Sequence, residues 1–155
     1  MRRDALLAGA AFLCLFGILS LANAGNAQLV ERMGWKAEQN PLLDVFIQEL
    51  RAGGRIWVIL SFYLLAAVGA AVMEELLFRG MLHNVLGRYL GTVLSAVVTS
   101  LLFALIHHVW ANVLSLFLLG MVLTWLYERT GRLVAPIAFH AINNVVALTF
   151  TIFSS

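Results

Sequence analysis

Apolar residues run along this chain in long blocks separated by short polar stretches, and each block approaches the length of a helix that crosses a bilayer. The first covers residues 5 to 24, the second Ile56 to about Phe78, the third Thr92 to about Trp110, the fourth Val113 to Tyr127 and the fifth Leu133 to Phe153. The pattern predicts an all-α fold, a polytopic membrane bundle of about five transmembrane helices. Arg2 and Arg3 precede the first block, and Ala22-Asn23-Ala24 closes it with a small-x-small pattern like a signal-peptidase site. The block is longer than the roughly 7 to 15 residues of a signal-peptide core, so a retained helix is the expectation. Residues 25 to 54 hold most of the charge, including Glu31, Arg32, Lys36, Asp44, Glu49 and Arg51. Inside that stretch Leu42, Leu43, Phe46, Ile47 and Leu50 recur at helical spacing after Asn40-Pro41, which predicts a short amphipathic helix on the membrane surface.

The polar connections set an orientation. Arg79 to Gly91 carries Arg79, Arg88 and His83, and the Glu128-Arg129-Thr130-Gly131-Arg132 turn is also basic, so both face the cytoplasm by the positive-inside rule. Trp57 and Trp110 then mark the outer interface, and Trp125 and Tyr127 the inner one. Counting at 1.5 Å per residue from the cytoplasmic ends leaves Glu74, His107 and His140 at different depths. The glycines at 80, 87 and 91 permit sharp turns, and the Arg79 to Gly91 linker is expected to sink into the membrane as a re-entrant element that lowers Glu74.

Composition narrows the class. The chain has 155 residues, is 62% hydrophobic and only 12% charged, far from the balance of a soluble globular domain. It reads as one multi-pass membrane domain over residues 1–155, with a motif-bearing core at about 56–153 and the lipid bilayer as its surroundings. A net charge of +2, scattered along the chain, gives no footprint for nucleic acid. Cys14 is the only cysteine, so neither a disulfide framework nor a thiolate metal site is available.

Charges beside a bilayer core cost several kcal/mol and mark a partner, a cavity or a reaction. Glu75 and Arg79 are four apart and oriented for an ion pair, whereas Glu74 points about 100° away. Glu74 is therefore either an interfacial charge reaching for water or a carboxylate free to act as a general base. Phe103 and His107 share one helix face by the same four-residue rule, which leaves His108 as a bystander. His140 and Asn144 share another. Together they can present hydrogen-bond donors to one point, as an oxyanion requires, or simply clamp two helices. Asn143 is the competing amide, rotated off that face.

The three motifs stand in order as Glu74-Glu75-Leu-Leu-Phe-Arg79-Gly80, Leu102-Phe103-Ala-Leu-Ile-His107 and His140-Ala-Ile-Asn143-Asn144. With these the chain resembles the CAAX protease and bacteriocin-processing family of intramembrane glutamic proteases. The resemblance takes in Gly120 and the Tyr127-Glu-Arg-Thr130-Gly131 turn and covers about residues 60 to 147. It implies that Glu74 and His107 activate a water, that His140 and Asn144 stabilise the oxyanion, and that Arg79 holds the first motif in place, with Glu75 and Phe103 as further support. It also implies a substrate that is a membrane-anchored protein or peptide, cut near its end, no cofactor, and a prokaryotic cell membrane as the setting. No serine or cysteine neighbours these residues, so water is the expected nucleophile. Two other readings compete. Zinc would accept Glu74, His107 and His140 as ligands of a metalloprotease, although no His-Glu-x-x-His helix is present. A non-enzymatic membrane binding or bacteriocin-immunity protein would need these polar residues only to hold helices together. Convergence of Glu74, His107, His140 and Asn144 on one accessible place separates the last reading from the enzymatic ones.

Overall fold

The structure, a computed structural model, describes residues 28, 32–34 and 41–154. The first predicted span, residues 5 to 24, lies outside them. Among the described residues every regular element is a helix. Helix α1 (Pro41–Arg51) begins with proline at its first position, where a missing N–H costs nothing. It does not stand alone on a surface. Phe46 stacks on Phe62 at 3.8 Å between ring centroids and meets Tyr63 edge-on, so α1 folds back along the helix that follows.

That next helix is one continuous run of 51 residues, Ile56–Ile106, long and apolar enough to cross a membrane. It is built from α2 (Ile56–Tyr63), a π-helical stretch π1 (Leu64–Gly69), α3 (Ala70–Glu75), a second π stretch π2 (Leu76–His83) and α4 (Asn84–Ile106). The linker from Arg79 to Gly91 is thus helical, which corrects the expected re-entrant element. Gly80 and Gly87 stay inside the helix, and only Gly91, at φ 76° and ψ 166°, leaves helical geometry. Those dihedrals are open essentially to glycine alone. The two arms on either side of Gly91 fold together: a methyl at Gly87 would sit 3.6 Å from Ser95 Oγ, and His83 bonds Ser95.

This hairpin removes the depth mismatch. Glu74 lies seventeen residues before Gly91 and His107 sixteen after it, so in an antiparallel pair they come level. Helix α5 (Val113–Thr130), also long and apolar enough to span, ends at Gly131, whose left-handed φ of 64° caps it through a bond from its N–H to the Tyr127 carbonyl. Helix α6 (Val134–Ser154) returns, its apolar stretch running over Val134–Phe150.

Helices α4 and α5 approach closely at Gly120. A Cβ there would meet Ser100 Cβ at 2.9 Å, the small-residue crossing common where lipid supplies no hydrophobic force between helices. The apolar core is modest: Phe78, Phe103, Leu119, Leu123, Leu126, Ala135 and Phe139. Large apolar side chains such as Trp57, Leu65, Met73, Val93 and Phe150 point outward. Glu75, Arg79, His83, Ser95, Thr99, Ser100, Thr124 and His140 are instead buried. Apolar outside and polar inside is the arrangement a lipid solvent selects.

Candidate active site

Glu75 occupies the last turn of α3, and the following π stretch carries Arg79. Both side chains are fully buried, and Arg79 Nη1 donates to Glu75 Oε1 at 2.8 Å. The other end of the guanidinium, Nη2, donates to the Gly120 carbonyl on α5 at 2.9 Å, and its plane lies 4.9 Å from the Phe103 ring centroid. The group therefore joins three helices. Glu75 Oε1 accepts a second bond, from His140 Nδ1 at 2.8 Å. Because that oxygen already takes the arginine's proton, the Glu75 carboxylate is ionised and His140 Nδ1 is the donor.

The tautomers follow from these partners. His140 Nδ1–H is tied to Glu75, and its Nε2 faces Glu74 Oε2 at 3.6 Å. His107 Nδ1–H is tied to the Phe103 carbonyl at 2.7 Å, and its Nε2 faces the same Glu74 oxygen at 3.7 Å. Two imidazoles on different helices are thus held from behind and aimed at one carboxylate oxygen. Glu74 Oε2 makes no hydrogen bond to the protein, so its lone pairs are available to a water or substrate proton. Exposure grades the site: His140 is 2% exposed, while Glu74 and His107 are each 27% exposed. The reacting edge lies on the Glu74–His107 side.

Phe103 is the packing hub. Its ring lies 4.7 Å from that of His107, 5.6 Å from His140 and 5.2 Å from Phe78, so one aromatic side chain spaces both imidazoles. Immediately after His107 the helix stops. His108 takes a left-handed φ of 53°, uncommon for a residue with a Cβ, and its N–H closes on the Leu105 carbonyl. Although its side chain is exposed, the His108 backbone terminates α4 at the residue whose ring faces Glu74.

Asn144 stands one turn beyond His140 but does not meet the same point. Its amide donates to the Ala67 carbonyl of π1 at 3.4 Å, at the long limit for such a bond. Asn143 is half-buried. The structure therefore brings Glu74, His107 and His140 together, packs Glu75, Arg79 and Phe103 behind them, and places Asn144 alongside. Sequence spacing did not reveal the Gly120 carbonyl as the second anchor of Arg79, because a backbone acceptor leaves no residue-type signal.

A family model described as Rce1-like, type II CAAX prenyl endopeptidase, matches residues 56–146, which contain all of these side chains. An Escherichia coli protein described as an uncharacterized 24.3 kDa protein is 30% identical over 141 residues, 88% of this chain and 62% of that protein. The chain thus spans less than two thirds of the length of that relative. No solved structure matches. With the family match covering more than half of the chain and enclosing the buried carboxylate and histidine cluster, the chain belongs to the Rce1-like family of membrane-embedded CAAX endopeptidases.

Proposed function

We propose that this chain is an intramembrane glutamic-type endopeptidase that cuts near the end of a membrane-anchored protein or peptide. The observation that carries the reading is the aim of two back-tethered imidazoles at the Glu74 carboxylate, 3.6 and 3.7 Å away. Glu74 Oε2 and His107 Nε2 are both acceptors, so a water between them donates one proton to each and turns a lone pair outward. Attack on the scissile carbonyl passes the water proton to Glu74, which returns it to the departing amide nitrogen. His140 serves the oxyanion when its ring carries both protons, Nδ1–H on Glu75 and Nε2–H on the developing negative oxygen. The Glu75 carboxylate, 2.8 Å away, balances that charge. Asn144, released from its long bond to Ala67, supplies the second donor.

The zinc alternative draws on the same three side chains, and histidines tied back through Nδ1 are what metal sites use. Among the described residues, however, no three histidine, cysteine or carboxylate side chains are placed to hold a metal ion. Zinc would also leave the roles of Arg79 and Asn144 unexplained. No step is routed through a metal.

The test is an assay of purified protein against membrane-anchored peptides with and without a prenyl group. Glu74→Gln keeps shape but cannot take a proton, and a loss of roughly 100-fold or more is expected. Cleavage at the wild-type rate by a folded Glu74→Gln variant would end the general-base assignment.

A further inference from the structure

A second polar cluster lies outside the reaction just described, at the end of π2 nearest Gly91. His83 is 2% exposed, with both ring nitrogens occupied. Nε2 is 2.7 Å from Glu128 Oε1 on α5, and Nδ1 is 3.1 Å from Ser95 Oγ on the returning arm of α4. The Ser95 hydroxyl also reaches the Thr92 carbonyl at 3.0 Å, and the Tyr127 ring meets the imidazole edge-on. Next in the chain, the Asn84 amide nitrogen lies 2.9 Å from the Arg79 carbonyl, 3.0 Å from the Gly80 carbonyl and 2.9 Å from the Tyr127 hydroxyl. These side chains bond one another and two carbonyls of π2. Neither His83 nor Asn84 bonds Glu74, His107, His140 or Asn144.

Their position explains what they do. A π turn holds one residue more than an α turn, so it rotates everything beyond it by about 100° and leaves backbone carbonyls poorly paired where it reverts to α. Such a turn persists only where its surroundings over-determine it. Here the start of π2 is pinned by Arg79 on Glu75 and Gly120, and its end by His83 and Asn84. Asn84 covers the two carbonyls at the π-to-α junction, and His83 ties that junction to both neighbouring helices.

We propose that His83 and Asn84 are positioning residues: with Ser95, Tyr127 and Glu128 they form a latch that fixes the rotational register of π2 and so aims the Glu74 and Glu75 carboxylates. If the latch opens, π2 relaxes toward α geometry, and the cheapest accommodation turns α3 by about one residue. Glu74 then leaves the His107–His140 pair. This inference rests on the reading of Glu74 as the general base for its catalytic consequence, but not for its geometry.

The test separates the two. His83→Phe and Asn84→Leu keep volume and remove the bonds, and Ser95→Ala is a milder variant that removes one bond. In a Cys14→Ser background, nitroxide labels at Met73→Cys, an outward position, and at Val72→Cys, a half-buried one, report oxygen accessibility on adjacent faces of α3. The latch predicts a reduced or inverted contrast between the two labels in each variant, least in Ser95→Ala. It also predicts kcat lower by roughly 10- to 100-fold with KM unchanged, as a misplacement near 1 Å produces. The double variant should be no worse than the weaker single one, since both open the same latch. An unchanged label contrast overturns the latch, even if folded yield falls. A shifted contrast together with an active Glu74→Gln enzyme would keep the latch and remove only the general-base role.

Discussion

At the residue scale, two adjacent glutamates have opposite fates, set by what each side chain meets. Glu75 is sealed between Arg79 and His140, whereas Glu74 keeps an orphaned, partly exposed oxygen. Removing Arg79 leaves an uncompensated buried carboxylate, and Arg79→Leu should destabilise by about 3 to 5 kcal/mol. A sharply lowered unfolding temperature in detergent is the expected readout. An Arg79→Leu protein as stable as the wild type would remove the structural role of the pair. The amides make a sharper contrast. Asn144→Ala should slow catalysis by about 100- to 1000-fold with little change in KM, the signature of a lost oxyanion donor, while Asn143→Ala should be nearly silent. If Asn144→Ala lowered only folded yield, its bond to Ala67 would be its whole purpose.

At the element scale, spacing rules served well inside helices and failed between them. The four-residue rule put Glu75 with Arg79 and Phe103 with His107, and both pairs meet, because a helical repeat is local geometry. The run from Arg79 to Gly91 looked like a linker since it combines charge with three glycines. It is helical because Arg79, His83 and Asn84 find buried or interhelical partners, so their polarity marks packing and not solvent. Only Gly91 breaks the helix. Gly91→Ala should cost on the order of 1 to 2 kcal/mol for its left-handed φ alone. Gly120→Ala should cost about 1 to 3 kcal/mol, since its methyl would meet Ser100. Both costs should appear as lower unfolding temperatures. If Gly120→Ala were neutral, the α4–α5 crossing would be looser than its geometry shows.

Across the whole molecule, the site exists because the folded helix Ile56–Ile106 and the α5–α6 pair bring their polar faces to one depth. His140 lies nine residues past Gly131, or about 14 Å from that turn at 1.5 Å per residue. That places the chemistry inside the bilayer and not at its surface. A reaction run by Glu74 and His107 on water should survive a strong chelator, with no tightly bound metal found on elemental analysis of active protein. Loss of activity on chelation, regained with one zinc per chain, would replace the glutamic mechanism with the metal one.

What the sequence determined by itself was the class of solvent, the helical character and the membership of the site. Long apolar blocks demand internally bonded helices in lipid, and rare ionisable residues inside them demand partners. Those are local or compositional facts, readable without coordinates. Tertiary structure alone decided which partners. The π stretches set a rotation that no α-helical count foresees, and the near-equal arms about Gly91 bring Glu74 level with His107. The backbone carbonyls of Gly120, Phe103 and Ala67 take up Arg79, His107 and Asn144. A carbonyl is the same in every residue, and a rotation accumulates over many, so neither leaves a mark in the pattern of side chains.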